Sequence, residues 1–179
     1  MADFRSIRVE ALKWFPQSRT TVPVTPVRLQ TPPSPCSIAR AAGRYSIHLQ
    51  LAGHAVHPAF VEFLRAVEAH AVAHAAPRDP TLRWFSCLDA GLVPALRLSA
   101  FDDTRMYDAA GDACADATAM TTCACLCELA GAWTTETSWG LRWKVLEVKE
   151  AAGVRVPCFL DWDRDSSGGD SHDGDGQAV

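Results

Sequence analysis

The stretch from Cys123 to Glu150, CACLCELAGAWTTETSWGLRWKVLEVKE, constrains this chain more than any other. Two β-rich runs flank a Thr-Thr-Glu-Thr-Ser turn, a hairpin signal of the longer-loop kind. In the second run Trp139, Leu141, Trp143 and Val145 alternate with Gly140, Arg142 and Lys144. A period of two sends neighbouring side chains to opposite faces of a sheet, so one face is aromatic and apolar and the other cationic. Two readings follow. The hairpin is a core element with solvated charges, or its rings and cations hold an unpaired nucleic-acid strand, bases stacking on rings while Arg and Lys neutralise phosphates.

Charge is distributed unevenly. The chain of 179 residues carries a formal net charge of −4, but Asp161, Asp163, Asp165, Asp170, Asp173 and Asp175, with only Arg164 against them, lie in the last nineteen residues. Residues 1–160 then hold 16 basic and 15 acidic groups, so the body is near neutral and the acidity is a tail. A near-neutral body binds nucleic acid only if its cations cluster. The expected division is one domain over 1–160 and a disordered acidic tail over 161–179. Cys123, Cys125 and Cys127 alternate, so on a strand they share a side and read as small buried hydrophobes in a reducing compartment. MADFRSIRVE is not a signal peptide, and no apolar run is long enough to span a membrane, so the expectation is an intracellular, not secreted, protein with no membrane partner.

Taken in order, residues 4–14 are compatible with a first strand. A proline-punctuated run follows, with prolines at 23, 26, 32, 33 and 35, which fits an edge strand or an extended crossing. Arg44 to Leu51 alternates cleanly, with Tyr45, Ile47, Leu49 and Leu51 on one face. Pro58 opens a helix to about Ala75, on which Phe60, Phe63, Leu64, Val67 and Ala71 share a face. Thr81 to Leu88, with Arg83 and Trp84, and Val93 to Phe101, with Arg97, read as strands. Residues 102–118 have no period and read as a loop, and Val154 to Leu160 reads as a last short strand. The class is α+β, mainly β, and a small β-barrel with one inserted helix fits it.

Catalytic and metal chemistry find little support. His70 and His74 share a helix face but no HExxH or CxxC pattern accompanies them, so solvated histidines are the simpler account. His54 and His57 read as loop residues at the helix start. Asp102 and Asp103 are adjacent and diverge on a strand, and no Gly-rich phosphate loop exists. The reading is a non-enzyme without cofactor or metal.

Three parts of the chain, taken together, resemble a family. LQTP at 29–32 followed by YSIHLQL at 45–51, the helical FVEFLRAV at 60–67, and AWTTETSWGLRWKV at 132–145 are similar to stretches of the single-stranded-DNA-binding proteins of the T-seven-type phages and, more closely, of the large nucleocytoplasmic DNA viruses. The resemblance implies an OB-type β-barrel with an inserted helix, and an acidic tail that competes with DNA and contacts replication proteins such as a polymerase or helicase. It also implies a role in viral DNA replication and recombination at a replication site in the host cytoplasm or nucleus. The phage tails end in an aromatic residue, whereas this sequence ends Gln177, Ala178, Val179.

On this reading Trp133, Trp139, Trp143 and Trp84 are the candidate stacking residues, and Arg142, Lys144, Arg97 and Arg83 the candidate phosphate contacts. Alternation alone leaves open which tryptophans face the groove: if Trp143 is core with Leu141 and Val145, Arg142 and Lys144 line the binding side. The partner is single-stranded DNA, with a homodimer left open. The competing class is a non-catalytic interaction or virion β-barrel protein.

Overall fold

The computed structural model describes residues 4–16, 20–89 and 91–151. The expected strand at 154–160, the 160/161 boundary and the acidic tail lie outside the described residues. In chain order the strands are β1 (Trp14–Pro16), β2 (Thr20–Pro23), β3 (Arg28–Gln30), β4 (Ser34–Ala41) and β5 (Arg44–Gln50), then helix α1 (His57–His74). After it come β6 (Arg83–Phe85), β7 (Leu88–Asp89), β8 (Ala95–Phe101), β9 (Arg105–Tyr107), β10 (Thr122–Thr134) and β11 (Ser138–Glu150).

Five of these strands pair in a path that returns to its start: β4 with β5, β5 with β8, β8 with β11, β11 with β10, and β10 with β4. Within the ring only β8–β11 is parallel. This is the Greek-key order of an OB-like fold. Two seams are thin, since β8 meets β11 through the single pair Lys144↔Ser99 and β10 meets β4 through Thr122↔Pro35 and Cys123↔Ser34. The fold is therefore mainly β with one helix and partly open, rather than a fully laddered barrel.

The hairpin dominates the sheet. β10 and β11 pair over most of their length around the loop 135–137, where the backbone N–H of Thr135 donates to the carbonyl of Ser138 at 2.8 Å. Its ladder slips between Leu129 and Gly131. Gly131 has φ +125°, and a Cβ there would meet the Thr21 carbonyl oxygen at 2.5 Å, so this bulge and the approach of β2 both require glycine. Cys123, Cys125 and Cys127 are fully buried, free thiols, the small apolar role the alternation gave them.

The helix lays Phe60, Leu64, Val67 and Ala71 into the core, with Phe63 half-buried beside them. It starts with proline in its first turn and stops at Ala75, whose N–H returns to the Ala71 carbonyl before Pro77. The expected strand at 4–14 is instead two 3₁₀ turns, Phe4–Ser6 and Val9–Ala11. Phe4, Ile7, Val9 and Leu12 turn inward at spacings of two and three, which a pleated strand cannot supply. Phe4 caps the helix, edge-on to Phe60 at 5.1 Å. The expected strand at 81–88 is split at Ser86 and Cys87, and the supposed loop 102–118 contains β9, which runs parallel to β11 and buries Met106.

Candidate nucleic-acid interface

Strands β5, β8 and β11 share an outward face set by their alternation. On β5 the buried Tyr45, Ile47 and Leu49 leave Arg44, Ser46 and His48 outside. The register places Arg44 opposite Phe101, Ser46 opposite Ser99 and His48 opposite Arg97. The Lys144↔Ser99 pair brings Lys144, and with it Arg142 two residues away, onto the same side.

This face carries a concavity of about 340 Å³ whose walls include Arg44, Phe85, Arg97, Phe101, Trp133 and Arg142. The Arg97 guanidinium carbon stands 4.6 Å from the centroid of Phe85, and Phe85 meets Trp133 at 6.1 Å with the rings tilted by 60°. Phe85 is 47% exposed, an uncommon outlay for a large ring. Arg44 and Lys144 lie 5.5 and 5.8 Å from the Phe101 ring. Aromatic faces with cations on them attract by the ring quadrupole.

Local chemistry fixes these positions. Trp133 is half-buried because its indole N–H donates to the Leu141 carbonyl at 3.2 Å, which lays the ring along the sheet. Gly140, paired with Trp133, gives the room: a Cβ there would sit 2.3 Å from the Phe85 carbonyl oxygen and 3.1 Å from the Trp133 ring. Among the described residues Arg44, Arg97 and Arg142 have no carboxylate partner, whereas Lys144 is held by Asp103 at 3.1 Å and Arg40 by Asp102 at 3.4 Å. A concave site with unneutralised guanidinium groups and accessible rings takes a flexible polyanion that carries aromatic bases.

No family model and no curated protein matches the sequence. Solved structures do. The C-terminally truncated single-stranded DNA-binding protein of bacteriophage Enc34 superposes with a TM-score of 0.52 at 8% identity, over 82% of this chain and 98% of that one. This is the fold of the Enc34 protein. The same phage protein in complex with single-stranded DNA gives 0.47 at 9% identity over 80% and 97% of the two chains. The single-stranded DNA binding protein gp2.5 of bacteriophage T7 gives 0.45 at 10% over 69% and 91%.

Of the residues picked out from the sequence, the structure gathers Trp133, Arg97 and Arg142 around the concavity, with the buried Trp143 in its lining and Lys144 at its margin. It separates the others. Trp139 and Trp143 are 5% and 2% exposed and belong to the core, because they share the inward face with Leu141 and Val145; Trp143 reaches the concavity only as part of its buried floor. Trp84 is half-buried and packs edge-on against Trp139 at 4.6 Å. Arg83 is exposed at the sheet edge opposite Ser138, outside the concavity. Phe85, Phe101 and Arg44 belong to the site and were not singled out. For β8 the signal was present, since a period of two from Arg97 reaches Ser99 and Phe101; for Phe85 it was not, because its place depends on the parallel pairing of β6 with β11.

The helix histidines are occupied otherwise. His70 Nδ1 accepts from the Trp14 indole N–H at 3.1 Å, and the His70 and His74 rings lie 4.4 Å apart. Among the described residues no group of three or more His, Cys, Asp or Glu is placed to hold a metal ion.

Proposed function

We propose that this chain binds single-stranded DNA without reading sequence, on the outward face of β5, β8 and β11. The observation that carries the reading is the concavity in which Arg44, Arg97 and Arg142, free of carboxylate partners among the described residues, alternate with Phe85, Phe101 and Trp133. OB folds bind oligonucleotides on the face of their second and third strands, here β5 and β8. The phage protein that shares the fold is itself a single-stranded DNA-binding protein. Bases stack on Phe85 and Trp133, each stack worth ~1 to 3 kcal/mol, and the arginines neutralise phosphates. Trp139, Trp143 and Trp84 support the site from behind, and Arg83 lies beyond it.

The finer parts of the reading follow from the resemblance at 29–32, 45–51, 60–67 and 132–145. The protein serves DNA replication and recombination of a large nucleocytoplasmic DNA virus, inside the host cell. It acts through a binding domain over 1–160 and an acidic tail over 161–179 that competes for the groove and docks replication proteins through Asp161, Asp163, Asp165, Asp170, Asp173 and Asp175.

The test is quenching of tryptophan fluorescence by a thymidine oligonucleotide, for the full chain and for a chain ending at Leu160. Quenching that weakens as salt rises, with a slope of about −2 for three phosphate contacts, and that tightens without the tail, is the expected result. No quenching by either form while both remain folded removes the reading in favour of an interaction or virion protein.

A further inference from the structure

The Glu68 side chain of helix α1 bonds to Ser86 and Cys87, two residues in the wall of the groove. Glu68, half-buried on the helix, accepts the Ser86 hydroxyl at 2.8 Å from both carboxylate oxygens and the Cys87 backbone N–H at 2.7 Å. The Ser86 hydroxyl in turn accepts from the Leu88 N–H at 3.0 Å. These contacts lie where the strand expected at 81–88 breaks into β6 and β7. The fixed segment then meets Arg97 twice, through the Arg97 N–H to the Cys87 carbonyl at 2.9 Å and a longer contact from Nη2 to the Ser86 carbonyl at 3.5 Å. Phe85, the residue before Ser86, carries the ring on which Arg97 stacks.

We infer that Glu68 is the positioning residue of the groove, holding the Ser86–Cys87 segment so that Phe85 and Arg97 stand together opposite Trp133. The inference rests on the groove being the strand-binding site. A carboxylate near a site for a polyanion weakens binding by charge, so removing it tightens binding if charge is all it contributes. If Glu68 places Phe85 and Arg97, removing it weakens binding despite the gain in net positive charge. A carboxylate accepting from two donors, the Ser86 hydroxyl shared between its oxygens and the Cys87 N–H, holds a segment better than a neutral acceptor does.

The experiment compares full-length wild type, Glu68→Ala, Glu68→Gln, Ser86→Ala and Phe85→Ala with a thymidine oligonucleotide at several salt concentrations, each variant checked by circular dichroism. Glu68→Ala is expected to bind about tenfold more weakly, within the range that loss of one base stack costs. Its salt slope becomes shallower by about 0.7 as Arg97 leaves the phosphate path. Glu68→Gln keeps acceptor oxygen for the segment and stays within a few-fold of wild type. Ser86→Ala retains the Cys87 bond and falls between them, which keeps the idea testable if Glu68→Ala does not fold. Folded Glu68→Ala that binds as tightly as wild type or more tightly, while Phe85→Ala binds weakly, overturns the positioning role and leaves the groove standing. Failure of wild type to bind overturns the groove and the inference together.

Discussion

The guanidinium carbon of Arg97 lies 4.6 Å from the centroid of the Phe85 ring, although the two residues belong to strands that do not pair with each other. They are brought together by β11, which pairs with both β6 and β8, and by the Arg97 backbone N–H, which donates to the Cys87 carbonyl just beyond β6 at 2.9 Å. Contact with the ring restricts the guanidinium's rotamers, so less conformational entropy is lost when it donates to a phosphate.

That arrangement separates binding from folding at two aromatic residues. Phe85→Ala is expected to weaken oligonucleotide binding by about 1 to 3 kcal/mol, with a loss of folding stability of about 1 kcal/mol or less, as for a half-exposed side chain. Trp143→Ala is expected to do the reverse in kind, costing about 3 to 5 kcal/mol of stability because it empties a core site. Titration and thermal melting of both variants check this; a Phe85→Ala protein that binds as wild type removes Phe85 from the platform.

Asp103 holds Lys144 at 3.1 Å beside Phe101, in a pair whose Asp103 end is exposed, 68% by side chain, and whose Lys144 end is half-buried at 34%. Such a pair is easily exchanged for a phosphate. Asp103→Asn is expected to raise affinity at low salt and to steepen the salt slope by about 0.7. The gain should vanish in a Lys144→Met background, and a gain that persists there would assign it to general charge instead.

A pH effect arises far from the groove. His57 is 1% exposed, its Nε2 lying 3.1 Å from the Ser34 hydroxyl and 3.3 Å from the Pro33 carbonyl, and Ser34 donates onward to the Pro32 carbonyl at 3.0 Å. Burial lowers its pKa below the ordinary 6.5, against the pull of the neighbouring carbonyl groups, and nearby His54 adds to the lowering. The unfolded chain therefore binds a proton that the folded chain refuses. Stability from this residue is present above pH 6.5 and is lost as pH falls below it. Melting temperatures of wild type are expected to drop more than those of His57→Gln between pH 7 and pH 5; parallel curves would remove His57 as the cause.

What the sequence disclosed and what it withheld follow one physical division. Alternation fixed the inward faces of 44–51 and 139–145 and the helical spacing fixed Phe60, Leu64, Val67 and Ala71, because those patterns are local. It also showed that Arg142 and Lys144 oppose Trp143. Phe85 was hidden because its surroundings come from β6 lying parallel to β11, about fifty residues on, and no local period encodes that partner. The break at Ser86 was hidden for the same reason, since Glu68 imposes it from the helix. The N-terminal turns were misread because Phe4 and Val9 follow the surface they cover and not a period of their own.

Gly140 joins both halves of the site, and its substitution tests them at once. Its backbone pairs with Trp133 on one side and Phe85 on the other. A Cβ placed 2.3 Å from the Phe85 carbonyl oxygen cannot be accommodated without moving backbone, and at 3.1 Å it also presses the Trp133 ring. Overpacking of this kind costs about 1 to 3 kcal/mol. Gly140→Ala is expected to lower the melting temperature moderately and to push β6 away from β11, which separates Phe85 from Trp133 and weakens oligonucleotide binding in protein that is still folded. The control is Gly91→Ala, where an added Cβ meets nothing closer than 3.8 Å, so stability and binding should both stay near wild type. Wild-type affinity in Gly140→Ala would mean that the contact between β6 and β11 does not shape the binding face.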